Sequence, residues 1–263
     1  MLNLQLRLLL LALRTYSRIP APGATSGWAA GPGEWPGRAI RYFPVVGLLV
    51  AALTAISYAT FGLWLPHAVS LLLAMGVGQL LTGAMHERGF ARFCDGFRDG
   101  VGGDAAARAG LAGTIGTVMM LLLRLEVLTS IDPSWIGVTL VTAAAFSRGC
   151  AMMVAASPAP GLAVGDAPPG ARLASADAGV ALALAALPAL AAAWWTASVG
   201  VFASAAGLAL ACTIAMRALA RRRGAACTED TLGAVQQCVE LAFYLGVLAT
   251  LSIVDDEALD SAS

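Results

Sequence analysis

Long apolar stretches parted by short polar ones dominate the chain. A bilayer core is crossed by about 20 residues of helix. Phe43 to Leu65 offers 23 residues without a charge, and Pro66 to Met85 offers 20 in which only His67 titrates. Ala109 to Ile131 is apolar apart from Arg124 and Glu126, Trp135 to Ala156 holds only Arg148, and Thr231 to Val254 holds Glu240. Ala178 to Met216 contains 39 uncharged residues, too many for one helix. It predicts two helices parted near Trp194-Trp195-Thr196, because paired indoles suit a membrane interface. Near the N-terminus, Asn3, Arg7 and Arg14 share one helical face with leucines opposite, which predicts a helix lying in the interface. The apolar run Leu8–Leu13 is too short for a signal peptide and no small-residue cleavage site follows it. The prediction is an all-α fold: a polytopic membrane helical bundle of about seven transmembrane helices plus an N-terminal interfacial helix. It forms one domain, with an interfacial segment over 1–42, the bundle over 43–254 and an acidic tail over 255–263.

Composition agrees. Only 12% of residues are charged, about half the usual share for a water-soluble domain, and the mean hydropathy is +0.77. A net charge of zero excludes a nucleic-acid partner and leaves the lipid bilayer as the expected surroundings. All 16 basic residues are arginine, so Schiff-base and P-loop chemistry, which need lysine, are absent. Segments 1–42, 86–108, 157–177 and 217–230 hold every arginine outside the spans, and the alternate connections hold none. This asymmetry predicts a multi-pass protein of the cytoplasmic (inner) membrane with its N-terminus and arginine loops in the cytoplasm and its C-terminus outside. The five cysteines match no zinc spacing and read as small buried hydrophobes.

Chemistry collects in two of the arginine-bearing loops. The first runs from His86 through Asp95 and Asp99 to Gly100; if it is helical, both carboxylates share one face and suit a divalent cation completed by substrate phosphates. Pairing of those carboxylates with nearby arginines is the alternative. The second runs from Arg221 to Gly233, where Thr228 is placed to cap the last helix and Glu229 and Asp230 lie at its positive end. Arg124, Arg148 and Glu240 are costly in lipid and must face the interior, with Glu240 one candidate partner for Arg148. Glu126, two residues from Arg124, lies on another face. His86, taken alone, reads as a helix C-terminal cap.

Several strings then occur in order: Ser17-Arg18-Ile19-Pro20-Ala21-Pro22, Tyr42-Phe43-Pro44-Val45-Val46-Gly47-Leu48, Thr82-Gly83-Ala84-Met85-His86, Cys94-Asp95-Gly96, Ser147-Arg148 and Asp230-Thr231-Leu232-Gly233-Ala234. Together they resemble the adenosylcobinamide-GDP ribazoletransferases (cobalamin-5'-phosphate synthases), over about residues 14 to 250. The resemblance implies transfer of the adenosylcobinamide-phosphate moiety of adenosylcobinamide-GDP to alpha-ribazole or its 5'-phosphate. In this step the ribazole 5' oxygen attacks, GMP leaves and magnesium (Mg2+) supports. It implies Asp95, Asp99, Asp230 and His86 as catalytic residues, Asp95 and Asp99 as metal ligands, and Arg18, Arg148, Arg88 and Arg92 on substrate phosphates. It leaves room for a homo-oligomer or for association with other membrane proteins of the cobalamin pathway.

This chain departs from the pattern. Where the family has His-x-Asp-Gly-x-x-Asp-x-x-Asp-Gly, it has His86, Arg88, Gly89, Arg92, Asp95 and Gly96. Ala112-Gly113-Thr114-Ile115-Gly116 stands for Asp-Ser-Arg-Ile-Gly, and Thr228-Glu229-Asp230 for Thr-Gly-Asp. An active transferase using its remaining carboxylates is one reading. A catalytically degenerate relative that binds corrinoid or nucleotide, or scaffolds an active partner, is another. A small transporter using Arg148 and Glu240 is the third.

Overall fold

A computed structural model of the chain describes residues 2–20, 38–99, 110–156, 175–222 and 229–262. Among these the fold is wholly helical: α1 (Leu2–Tyr16), a 3-10 turn (Ile40–Tyr42), α2 (Phe43–Phe61), α3 (His67–Thr82), α4 (Met85–Asp99), α5 (Leu111–Thr129), α6 (Pro133–Ala155), α7 (Ser175–Trp195), α8 (Val199–Arg222) and α9 (Glu229–Ala262). Local chemistry sets the boundaries. Pro44 and Pro133 sit in the first turns of α2 and α6, where a missing N–H costs nothing. Asp132 caps α6 by accepting the Ser134 amide at 2.8 Å. Trp194 and Trp195 end α7 with both indoles outside the bundle, at the predicted break.

Six helices, α2 and α5 to α9, are long and apolar enough to cross a membrane. α3 has only 16 residues, about 24 Å of helix against a core of about 30 Å. It ends at Gly83, whose φ of +66° is the left-handed cap conformation. Ala84 follows at φ +53°. These two residues turn the chain by 88° into α4. The seventh expected span is thus not a straight helix: α3 and α4 pass the same length and hydropathy test only when taken together as a bent pair. α4 is amphipathic, with His86, Phe90, Ala91, Phe93 and Asp95 buried and Arg88, Arg92 and Gly96 exposed. Gly96 and its neighbours do not break it.

α6 is the central post. Within the span windows, 78% of α6 is interior against 22% of α5. α2, α7 and α9 pack around it, with small residues at the crossings. A Cβ on Gly149 would lie 2.3 Å from the Ala185 methyl, and one on Gly246 would lie 2.5 Å from the Ala205 backbone. Such contacts are how helices pack closely where burial in lipid supplies little drive. α1 seats Leu8 and Ala12 against Val46 and Val50 of α2. Gln5 on α1 accepts from Arg41 at 2.9 Å and from the Tyr42 hydroxyl at 2.7 Å, and Arg41 pairs with Asp177 of α7 at 3.0 Å. α9 continues as helix through Asp255, Asp256 and Glu257, so the acidic tail extends the last helix.

Candidate active site

Six helices, α2 to α6 and α9, line one small cavity, and α4, α5, α6 and α9 give it its charged side chains. Arg148 projects from α6, 4% exposed. One of its nitrogens donates to the Ala144 carbonyl at 2.8 Å, and another lies 3.5 Å from His86 Nε2. The guanidinium also stands 5.4 Å from the centre of the Phe43 ring, a cation–π arrangement that stabilises a desolvated cation. Glu240, one candidate partner for it, is bound elsewhere. Glu240 Oε1 accepts from Arg124 at 2.6 Å and from the Tyr244 hydroxyl at 2.7 Å, and its Oε2 accepts from Gln236. Arg124 also donates to Gln237 Oε1 at 2.8 Å, and Gln237 Nε2 donates to Glu87 Oε1 at 3.1 Å. The network thus runs from α5 through α9 to α4.

His86 does not cap α3, whose end is closed by Gly83. It sits in the first turn of α4, 5% exposed, with its ring 5.6 Å from that of Phe43. Gly47 and Gly233 make this possible. A Cβ at position 47 would lie 2.3 Å from Arg148 Cδ, and one at 233 would lie 3.0 Å from the His86 carbonyl oxygen. Four of the ordered strings, scattered from Tyr42 to Ala234, therefore meet around Arg148 and His86. A fifth lies beside them. The Arg18 amide donates to the Leu81 carbonyl at 2.7 Å, and a Cβ on Gly83 would lie 2.4 Å from Arg18 Nε.

Asp95 is placed differently from the expectation that it shares an open face with Asp99. Its carboxylate, 6% exposed, accepts the Gly110 amide at 2.6 Å on one oxygen and the Gly113 amide at 2.7 Å on the other. It caps α5 from across the helix interface. The Asp99 side chain and Thr228 lie outside the described residues. Asp230 meets Arg92 at 3.4 Å, both being substantially exposed, and Arg88 lies exposed one turn before Arg92. Magnesium requires carboxylate oxygens that the fold leaves open, and one or two suffice when phosphates complete the shell. Among the described residues no group of three or more His, Cys, Asp or Glu is gathered for a metal. Of the two expected ligands, Asp95 has both oxygens engaged by backbone amides, whereas Asp230, expected as a catalytic residue, keeps a partly exposed carboxylate.

Asp95→Asn is expected to lower the thermal midpoint in detergent while leaving the magnesium dependence of turnover unchanged. One of the two buried amides then faces an NH2 group, a loss of about 1–3 kcal/mol. A rise in the magnesium requirement without loss of stability would assign Asp95 to the metal instead.

Glu87, Gln236, Gln237 and Tyr244 were not singled out by sequence reasoning. The available signal was the spacing of Gln236, Gln237 and Glu240, which places three polar residues on one stripe of an apolar helix.

The model of the family described as cobalamin-5-phosphate synthase matches residues 8–248. A protein of Azorhizobium caulinodans named adenosylcobinamide-GDP ribazoletransferase is 36% identical over 256 residues, covering 90% of this chain and 93% of that protein. One of Leptothrix cholodnii with the same name is 37% identical over 262 residues, covering 92% and 95%. One of Shewanella baltica is 38% identical over 162 residues, covering 58% and 59%. No solved structure matches. With strings from both halves of the chain converging on one cavity and the family model matching nearly end to end, the chain belongs to the cobalamin-5-phosphate synthase family.

Proposed function

We infer that this protein transfers the adenosylcobinamide-phosphate moiety of adenosylcobinamide-GDP to alpha-ribazole or its 5'-phosphate, releasing GMP. The observation that carries this reading is that Arg148 and His86 line one cavity, with Gly47 packed against the first and Gly233 against the second, in a chain matched by the family over residues 8–248. In the balanced step, a ribose hydroxyl oxygen forms a bond to the phosphorus nearer the cobinamide. The bond from that phosphorus to the bridging oxygen breaks, GMP departs with the electron pair and the hydroxyl proton is released. A family named for a 5-phosphate product has its acceptor's 5' oxygen already esterified. The attacking group is therefore a ring hydroxyl of the ribose, rather than the 5' oxygen expected above.

The charge on the diphosphate is what the protein must offset, and arginine suits that role through its paired donors. Arg148 at the cavity and the exposed Arg18, Arg88 and Arg92 are the candidates. Arg88 and Arg92, both exposed on α4, supply positive charge directly. Asp230 would hold magnesium, which when bound neutralises phosphate charge. His86, its Nε2 facing a donor nitrogen of the Arg148 guanidinium at 3.5 Å, is placed to orient that cation toward the phosphates. We place the arginine-bearing loops and the N-terminus in the cytoplasm of a bacterium, its inner membrane being the bilayer crossed; the arginine asymmetry supports this. No observation favours a homo-oligomer or a protein partner over a single chain.

Purified protein in nanodiscs with both substrates and magnesium is expected to release GMP in proportion to product. EDTA and Asp230→Asn should each reduce the rate at least about tenfold. No GMP above an empty-nanodisc blank overturns the reading and favours the non-catalytic relative.

A further inference from the structure

Arg148 is a buried cation that no carboxylate meets directly. Among the described residues it forms no ion pair, and a charge held inside a bundle is costly unless something offsets it. Glu240 has no capacity left for it: its Oε1 accepts from Arg124 and Tyr244 and its Oε2 from Gln236. Glu87, next to His86 on α4, has one oxygen bound by Gln237, while the other, Oε2, is buried with no hydrogen bond inside the protein. Glu87 and Arg148 both line the small cavity. So do the owners of three further buried atoms: the donors Arg124 Nε and Arg148 Nε and the acceptor Gln236 Oε1, none of which finds a partner within the protein.

Two donors and two acceptors around one space identify its occupant. A cation would serve only the acceptors and an anion only the donors, whereas water serves both. The enclosed space is about 60 Å³, far below the roughly 300 Å³ at which pockets for organic ligands begin. At about 10–15 Å³ for each water, it takes roughly four. We propose that a buried water cluster fills this cavity and joins Arg148 to Glu87, so that Glu87 is a positioning residue for the arginine. Arg148 Nε donates to the cluster, the cluster donates to Glu87 Oε2, and the carboxylate supplies through water the negative charge that Arg148 lacks at contact. The same waters give Arg124 Nε an acceptor and Gln236 Oε1 a donor. Gln237, itself held by Arg124, fixes Glu87 in turn. The consequence for turnover rests on the transferase reading: without Glu87, Arg148 is held less firmly where phosphate charge is to be offset.

The first measurement requires no turnover. In the full chain, carrying isotope-labelled arginine and held in lipid bilayers, water-edited solid-state NMR reads magnetisation passing from water to each arginine Nε–H. The Arg148 signal is the one lost in Arg148→Gln. It should gain intensity at a rate within about threefold of the exposed arginines, because a hydrogen-bonded water is in contact. A rate about tenfold slower means a dry cavity and overturns the proposal. Glu87→Gln, which keeps an oxygen for Gln237 and removes the charge, should shift the Arg148 resonance. Glu87→Asp should leave it near its wild-type position, because a rearranged water spans the missing methylene. An Arg148 resonance indifferent to Glu87→Gln overturns the proposal as well. The second measurement is GMP release. Glu87→Gln should lower kcat about tenfold and change KM less than about twofold, with Glu87→Asp within about threefold of wild type. In the Arg148→Gln background, Glu87→Gln should cost less than about twofold more. Equal losses in the Gln and Asp variants, or multiplicative losses with Arg148→Gln, make Glu87 a packing residue and overturn the proposal. A water-contacted Arg148 Nε whose resonance follows Glu87, without GMP release by the wild type, counts against the transferase reading alone.

Discussion

Replacing Glu240 with leucine is expected to destabilise the protein by about 3–5 kcal/mol, because it strands a guanidinium in the bundle interior. Arg124 reaches Glu240 at 2.6 Å with both side chains almost wholly buried, and the Tyr244 hydroxyl loses its acceptor in the same change. Gln237 Oε1, at 2.8 Å from Arg124, remains but carries no charge. The counter-experiment is the double variant Arg124→Met, Glu240→Leu. Removing both partners removes the uncompensated charge, and substitution of buried pairs by apolar residues is often close to neutral. It should recover most of the loss, so the coupling between the two positions amounts to several kcal/mol and the single changes do not add. Unfolding in mixed detergent, followed by circular dichroism, measures each variant. If Glu240→Leu unfolds with the wild-type midpoint, the ion pair has no part in holding α5 to α9.

That pair also shows where one-dimensional reasoning stops. The apolar runs fixed the helices well, since the bilayer sets a length and charge is costly within it. Trp194 and Trp195 fall at the end of α7 and α6 lies at the centre. Which of the buried charges meet depends on helix order and rotation, and no period along the chain carries that information. Charge alone makes Glu240 one candidate partner for Arg148, yet Arg124 takes Glu240 and Arg148 rests on His86, the Ala144 carbonyl and Phe43. The bend at Gly83 and Ala84 was equally hidden. It turns what reads as a loop carrying two carboxylates into a helix lying across the bundle, and directs Asp95 at the start of α5. The glutamines escaped notice because they are uncharged and sit in an apolar run. Conversely, Gly47, Gly83 and Gly233 were legible only as letters of a pattern. Their role is steric and becomes visible once the side chains beside them are placed.

The largest functional effect is expected at Gly47, a residue with no chemistry of its own. A Cβ there would stand 2.3 Å from Arg148 Cδ and 2.8 Å from its Nε, with the Ala144 carbonyl at 2.9 Å on the other side. The Arg148 stem is the nearest obstacle and the α6 backbone the next. Gly47→Val should therefore displace the guanidinium from its place beside His86 and ease α2 slightly from α6, at a cost of about 1–3 kcal/mol. If Arg148 stabilises charge on the transferring phosphate, losing its position costs about 10²–10³ in kcat, the usual worth of one preorganised donor. Arg148→Gln should give a loss of similar size. The discriminating result is the double variant. Because position 47 acts chiefly through residue 148, Gly47→Val in the Arg148→Gln background should lower kcat by less than about threefold more, far from the product of the two single effects. Multiplicative losses would mean that Gly47 serves the bundle in general and that Arg148 contributes from wherever it lies. Near-complete non-additivity makes the glycine and the arginine one device, built from two helices, for holding a cation at the mouth of the chemistry.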